Sequence, residues 1–134
     1  MIAKAVSKYN KISPKKARLL TRRLKGLTIA EAYAILMNVN KKASGLIYKV
    51  VHSAFDNAHK KDASINEADV YISKITADSG PVLKRFRAAS MGRAAMIRKR
   101  TSHFTVELEA KKLPKKEVKE KSKTTKKRFT FKKK

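Results

Sequence analysis

One stretch constrains the fold of this chain more than any other, because it is strongly basic and yet patterned like two strands. Between Ser79 and His103 the sequence has seven Lys and Arg residues and no Asp or Glu. β-Branched and aromatic residues mark both ends, whereas the middle, Ala88–Gly92, is mostly small and uncharged. This pattern predicts a long two-stranded ribbon. An isolated ribbon is marginal in water and its like charges repel each other, so we expect a polyanionic partner.

The charge of the whole chain agrees with that expectation. The net charge is +25, and residues 1–110 hold 22 basic and 8 acidic side chains, so the excess is not confined to the end of the chain. A charge this large is tolerated most easily when phosphates neutralise it. Five of the seven ribbon cations are arginines, which suit bidentate phosphate contact and base stacking. We therefore expect RNA as the partner.

Several other classes of protein are disfavoured. The chain has no cysteine, which excludes disulfides and thiolate metal sites. Its first residues, Met1–Lys8, lack the apolar run of a signal peptide, and no segment approaches the roughly 20 apolar residues of a membrane span. We expect a soluble, intracellular protein with no membrane partner and no homo-oligomer.

A catalytic or metal-binding interpretation would depend on one group of residues in the predicted third helix. His52, Asp56 and His59 can share a helix face, but the zinc-protease spacing HExxH does not occur. Ser53 and His52 are sequence neighbours and point about 100° apart on a helix, so they cannot form a nucleophile–base pair. No glycine-rich nucleotide loop is present. We expect neither an enzyme nor a cofactor or metal site.

The order of elements predicts an α+β fold. Weak alternation over residues 2–10 indicates a strand, and Ser13-Pro14 begins a helix that ends near Gly26. Thr28 and Glu31 form a capping box for a second helix with apolar residues Ile29, Ala32, Tyr33, Leu36 and Met37. A third helix near residues 41–60 has a wide apolar stripe. Strands follow at 69–75 and around Phe104, Val106 and Leu108.

These elements predict three helices packed on one face of a small three-stranded antiparallel sheet, with a long β-hairpin at about 76–103. At about 3.3 Å per residue, the arm from Thr76 to Ser90 would be about 45 Å long. We expect residues 1–110 to form one RNA-binding globular domain. Residues 111–134 are Lys-rich and almost without apolar residues, so we expect a disordered tail.

Two basic surfaces are candidates for RNA contact. The first is the basic face of the first helix. Its plainer interpretation is an ordinary solvated surface, but the shortage of nearby acids favours phosphate contact. The candidates are Lys15, Lys16, Arg18 and Arg22. The second is the ribbon. Its plainer interpretation is that the charges prevent aggregation through an exposed strand edge. Lysines alone would serve that purpose, so the arginines favour RNA contact. Met91 and Met96 are expected to be flexible fillers. The ribbon candidates are Lys84, Arg85, Arg87, Arg93, Arg98, Lys99 and Arg100.

Several motifs in sequence order resemble the ribosomal protein L twenty-two family of the large subunit. The resemblance covers residues 3–108. Its hairpin part consists of Gly80-Pro81 followed by Lys84-Arg85, then Gly92-Arg93-Ala94, then Ile97 and Lys99-Arg100-Thr101-Ser102-His103 with Thr105-Val106. Its helical part consists of Ser13-Pro14, Lys16, Arg18-Leu19, Gly26, Glu31-Ala32, Ala34-Ile35-Leu36, Lys41-Lys42-Ala43, Ser53-Ala54 and Asn57-Ala58.

The resemblance implies a structural component of the large ribosomal subunit, either of cytoplasmic ribosomes or of organellar ones. Its partners would be large-subunit ribosomal RNA, neighbouring ribosomal proteins and, at the hairpin tip, the nascent polypeptide in the exit tunnel. The resemblance adds Ser102 and His103 to the RNA-binding candidates. The tunnel-lining tip would consist of Ala88, Ala89, Ser90, Met91 and Gly92, where the family usually has Pro-Arg-Ala in place of Ala88-Ala89-Ser90.

The competing interpretation is an architectural protein that clamps DNA with a basic β-arm. DNA-inserting arms generally carry an apolar wedge at the tip, often proline. The tip of this ribbon is small and almost free of such a wedge, which favours RNA. A cationic membrane-surface peptide fits poorly, because the basic ribbon lacks a continuous apolar face.

Overall fold

The structure is a computed structural model and describes residues 1–110. The predicted disordered tail, 111–134, lies outside the described residues. The α+β prediction is confirmed: the elements are one strand, three helices and two long strands in that order. They are β1 (Ala3–Asn10), α1 (Pro14–Leu24), α2 (Ile29–Asn38), α3 (Lys42–His59), β2 (Val70–Ala88), a short 3-10 turn (Ser90–Gly92) and β3 (Ala94–Ala110).

The helix boundaries follow the local sequence signals. Pro14 opens α1, and Gly26 follows that helix with a φ of 83°, a left-handed conformation that glycine adopts without strain. At α2 the capping box is complete, with Thr28 and Glu31 each accepting a hydrogen bond from the other's backbone N–H. One large apolar residue of α2 is exposed. Met37 is 73% exposed, because Leu36 takes the buried position and the next residue points about 100° away.

The sheet has the order β1-β3-β2 with both pairings antiparallel, as predicted, so β3 is the central strand. Phe104, Val106 and Leu108 point to the helices and are fully buried. The opposite face is polar and places Glu107 on β3 between lysines of the two flanking strands, 3.2 Å from Lys4 and 3.9 Å from Lys74. The core therefore lies on one side of the sheet only.

Beyond the core, β2 and β3 continue as a pair without covering. Every residue from 81 to 100 is exposed, and this segment is called the free ribbon below. The hairpin predicted at about 76–103 includes this segment and the paired residues next to it, of which Ala77 and Thr101 are buried. Helix α1 packs against this part of the strand pair, and its Arg18 Nε donates to the Ala77 carbonyl at 2.9 Å. From Val82 to Met91 the exposed part is about 30 Å long at about 3.3 Å per residue.

Candidate nucleic-acid interface

A joint between sheet and free ribbon is built from two β-bulges around one short segment of β3. On one side Gly80 and Pro81 of β2 lie opposite Thr101 alone, between the pairs Ser79–Ser102 and Val82–Arg100. On the other side β1 shifts its pairing between Ser7 and Asn10, and Tyr9 there has a φ of 57°. Bulges bend the strand that carries them and increase its twist. The direction of the free ribbon is therefore set at this joint.

Hydrogen bonds that involve side chains connect the three strands at the joint. Thr101 Oγ1 donates to the Pro81 carbonyl at 2.6 Å, and the Tyr9 N–H donates to His103 Nδ1 at 2.9 Å. A Cβ on Gly80 would lie 2.5 Å from Thr101 Oγ1 and 3.0 Å from His103 Nε2. Glycine is therefore required here by close approach.

Two of the predicted RNA-binding residues belong to this joint. His103 is half-buried, and its Nδ1 and ring are engaged by Tyr9, with the two ring centroids 4.9 Å apart. Ser102 is 0% exposed, and its Oγ has no hydrogen-bond partner among the described residues. The Ser102 side chain does not reach the surface, because β3 is the central strand and this residue points into the packed side of the sheet. We therefore leave Ser102 out of the interface.

The strand register divides the free ribbon into two faces, because side chains of directly paired residues lie on the same face and alternate along the strand. What we call the Phe86 face carries the pairs Val82–Arg100, Lys84–Arg98, Phe86–Met96 and Ala88–Ala94. What we call the Arg85 face carries the pairs Leu83–Lys99, Arg85–Ile97 and Arg87–Ala95.

The cations of the free ribbon have no acidic partners within residues 1–110. The ion pairs of that part of the chain use Asp56, Glu107 and Glu109 and lie elsewhere. Lys84 and Arg98 lie directly opposite each other, an arrangement that is destabilising for like charges on a sheet. The free ribbon thus presents uncompensated positive charge on both faces, as a phosphate-binding element requires.

A basic groove runs from the base of the free ribbon to helix α1. Its first part is about 470 Å³, its second part about 720 Å³, and the two share Lys11, Ile12, Ser13 and Lys42. The first part is completed by Leu83, Arg85, Arg98, Lys99, Arg100 and Thr101. The second part is completed by Lys16, Leu19, Leu20, Lys41 and Ala43. The fold therefore brings Lys16 of the predicted helix face together with four predicted ribbon cations.

Three lysines of this groove, Lys11, Lys41 and Lys42, were not among the predicted site residues. A signal for two of them was available in the sequence. The N-terminal end of a helix favours acidic side chains, yet Lys41 caps α3, Lys42 follows it, and the first turn has no acid. Cations at such a position indicate that the local charge is balanced by another molecule.

The remaining predicted residues lie outside the groove. Lys15 and Arg22 are exposed on α1, whereas Arg18 also fixes that helix to β2 through the Ala77 carbonyl. Arg87 and Arg93 lie nearer the tip of the free ribbon and are exposed. The predicted residues therefore form an elongated basic surface and not one compact pocket.

The tip is a single tight turn. The Ala89 N–H donates to the Arg93 carbonyl at 2.9 Å, and both Met91 and Gly92 have left-handed backbones, with φ values of 57° and 67°. The expectation that Met91 and Met96 are fillers is wrong, since both are exposed and Met91 is 92% exposed. They cannot fill space because nothing in the described chain packs around them.

No competing site emerges in the described part of the chain. The Asp56 carboxylate lies 2.8 Å from His52 Nδ1. Residues 1–110 nevertheless contain no cluster of three possible metal ligands. Burial raises the pKa of Tyr33, with the charge of Glu67 adding to the effect, so this phenol stays protonated. Over the same residues, no helix combines the length and apolar character needed to cross a membrane.

Comparisons with known proteins identify the family. Large ribosomal subunit protein uL22 of Halothermothrix orenii is 47% identical over 112 residues, which is 84% of this chain and 98% of the relative. The protein of the same name from Thermoanaerobacter sp. is 41% identical over 83% of this chain and 99% of its own length. That from Leptospira biflexa is 44% identical over 79% and 91%. The sequence model described as Ribosomal protein L22p/L17e matches residues 5–109, and this chain therefore belongs to that family of structural, non-enzymatic ribosomal proteins.

Proposed function

We propose that this chain binds large-subunit ribosomal RNA through the free ribbon and the basic groove at its base. A structural role in the ribosome follows from the family, and the proposal adds the surface that carries it. The supporting observation is the free ribbon itself, seven cations on an exposed strand pair with no acidic partner within residues 1–110. Phosphates supply the missing negative charge, and binding releases their counterions.

The contacts of the free ribbon act mainly on the RNA backbone. Phosphate contacts position a protein, and A-form RNA is recognised chiefly through its shape and backbone. Arginines at positions 85, 87, 93, 98 and 100 provide planar donors for two phosphate oxygens at once. The groove adds Lys11, Lys16, Lys41 and Lys42, so an RNA strand that enters it contacts the globular part and the free ribbon together.

The tip has a second proposed role as part of the wall of the nascent-peptide exit tunnel, with the nascent polypeptide as its partner. Small side chains at Ala88, Ala89 and Ser90 leave room for a moving chain, and the tip has no acid that would repel nearby phosphates. We place the protein in the large subunit of cytoplasmic ribosomes, beside neighbouring ribosomal proteins. In ribosomes with Ala89→Trp we expect normal assembly and altered passage of nascent chains, measured by ribosome profiling.

A four-site variant tests the RNA-binding proposal. Changing Lys84, Arg85, Arg98 and Arg100 to Ala should weaken binding to a large-subunit RNA transcript and reduce the log–log salt slope by about 3, since each lost phosphate contact contributes about 0.7–0.9. A matched control removes four exposed lysines that lie outside the free ribbon and the groove, namely Lys8, Lys25, Lys49 and Lys60. Equal slopes for the two variants would show that general charge, and not the free ribbon, determines RNA binding.

A further inference from the structure

The Phe86 face contains an exposed aromatic side chain that the phosphate contacts leave unused. Phe86 is 69% exposed, and its cross-strand partner Met96 is also exposed. Within residues 1–110, Phe86 is mostly uncovered, and Met96 keeps 48% of its surface exposed. Covering this ring and the neighbouring Met96 would remove apolar surface from water, so a partner that covers them gains binding free energy.

Charge limits the kind of partner. The neighbouring pair on the same face is Lys84–Arg98, two residues nearer the core and therefore about 7 Å away along the strands. The neighbouring pair on the tip side is Ala88–Ala94, whose small side chains leave the ring accessible. A partner that covers Phe86 thus meets two cations on one side and open space on the other.

A nucleotide provides both of the required chemistries. Its base has a flat π-face that stacks on an aromatic ring, and its phosphate carries the charge that the cations lack. An apolar protein segment would bury two unpaired cations beside the ring, at a desolvation cost that nothing repays. An acidic segment would neutralise the cations but would leave the ring without a stacking partner.

We propose that Phe86, with Met96 beside it, is a stacking platform for one unpaired base of the bound RNA, and that Lys84 and Arg98 hold an adjacent phosphate. This assignment rests on the proposed RNA binding and adds a base contact to a surface otherwise dominated by backbone contacts. Stacking accepts any base, because every base has a π-face, so the platform selects an unpaired nucleotide without selecting its identity. The stacked base therefore sets the position of the ribbon along the RNA.

Two substitutions at position 86 separate stacking from apolar burial. The chain has four tyrosines and no tryptophan, so Phe86→Trp introduces a single indole that retains a stacking ring and can be excited at wavelengths where tyrosine does not absorb. Phe86→Leu keeps an apolar side chain and removes the π-face. With the full chain and a large-subunit RNA transcript, we expect Phe86→Leu to weaken binding by between about fivefold and 150-fold, the range for one stacked base. The salt slope should not change, because no phosphate contact is lost. Phe86→Trp should bind as tightly as the original chain, with its fluorescence quenched by the RNA.

Ile97→Ala is the matched control, since Ile97 is an exposed apolar residue on the Arg85 face. It should change RNA affinity by less than Phe86→Leu. Unchanged affinity of Phe86→Leu together with an unquenched Phe86→Trp would overturn the platform while leaving RNA binding intact. Normal RNA binding by Phe86→Leu with reduced incorporation into subunits would overturn it in favour of a protein partner. If the original chain shows no salt-dependent RNA binding at all, the proposed function itself fails.

Discussion

The two ends of the β2–β3 pair have the same strands and opposite chemistry. At the core end, Phe104 and Val106 are buried under the helices, and Glu107 of β3 is paired with Lys4 and Lys74. Beyond the joint at Gly80, the same two strands are exposed on every residue and carry only positive charge. Hydrophobic burial stabilises the first end. The second end has backbone hydrogen bonds but no burial, so we expect strand pairing alone to leave the free ribbon only marginally stable.

Amide exchange should give the largest difference between the two ends. In the free protein we expect amides around Phe104–Leu108 to exchange at rates set by global unfolding, and those of Val82–Arg100 to exchange orders of magnitude faster through local opening. Mass-spectrometric exchange on the full chain, with and without RNA, measures both. Strong protection of the free ribbon without RNA would contradict the comparison, since it would mean that the ribbon is stable without a partner.

Two phenylalanines on neighbouring parts of the sheet sharpen the same contrast. Phe104→Ala should lower the free energy of unfolding by about 3–5 kcal/mol, because it leaves a cavity in the core. Phe86→Ala should change it by less than about 0.5 kcal/mol, because the ring contacts no core residue. Urea unfolding of the two variants provides the measurement. A similar loss at position 86 would show that the free ribbon folds back onto the globular part.

A substitution at the joint should have an effect of intermediate size on the free energy of unfolding. Gly80→Ala should destabilise the protein by about 1–3 kcal/mol, because the new methyl group meets Thr101 Oγ1 and His103. Gly45→Ala is the matched control: Gly45 lies in the exposed part of α3 with nothing within 4 Å of the added carbon. That control should stabilise the protein by up to about 1 kcal/mol through helix propensity. Opposite signs in thermal or urea unfolding would support the joint, and equal signs would contradict it.

The smallest expected effect concerns pH at the core end. The Tyr71 hydroxyl donates to Glu109 at 2.8 Å, and this hydrogen bond lowers the pKa of the Glu109 carboxyl below its usual value. A depressed carboxyl pKa contributes stability above the unfolded-state pKa and loses it as the pH falls through the folded-state pKa. Tyr71→Phe should therefore be slightly less stable at neutral pH and converge with the original chain in acid. A constant difference in urea midpoint across this range would exclude that linkage.

Local signals predicted most of the secondary structure correctly. The Ser13-Pro14 start, the Gly26 stop and the Thr28–Glu31 capping box each depend on residues within one turn, so the sequence alone is sufficient. The alternation of Phe104, Val106 and Leu108 fixed the buried face in the same way. What local signals did not determine is burial relative to other elements: Met37 is apolar but exposed, and Ala77 and Thr101 of the predicted hairpin are buried. In both cases a packing neighbour, not the local pattern, determines burial.

The sequence by itself determined that this chain has a basic two-stranded ribbon without acids, three helices with defined ends, and a charge that requires an anionic partner, because composition and short-range periodicity encode these properties. Only the tertiary structure decided that Lys11, Lys41 and Lys42 join the ribbon cations in one groove, that Ser102 is buried, and that Phe86 shares a face with Lys84 and Arg98. These facts depend on strand register and on the two bulges at the joint. Register is set by pairing between residues far apart in the chain, and no local pattern contains it.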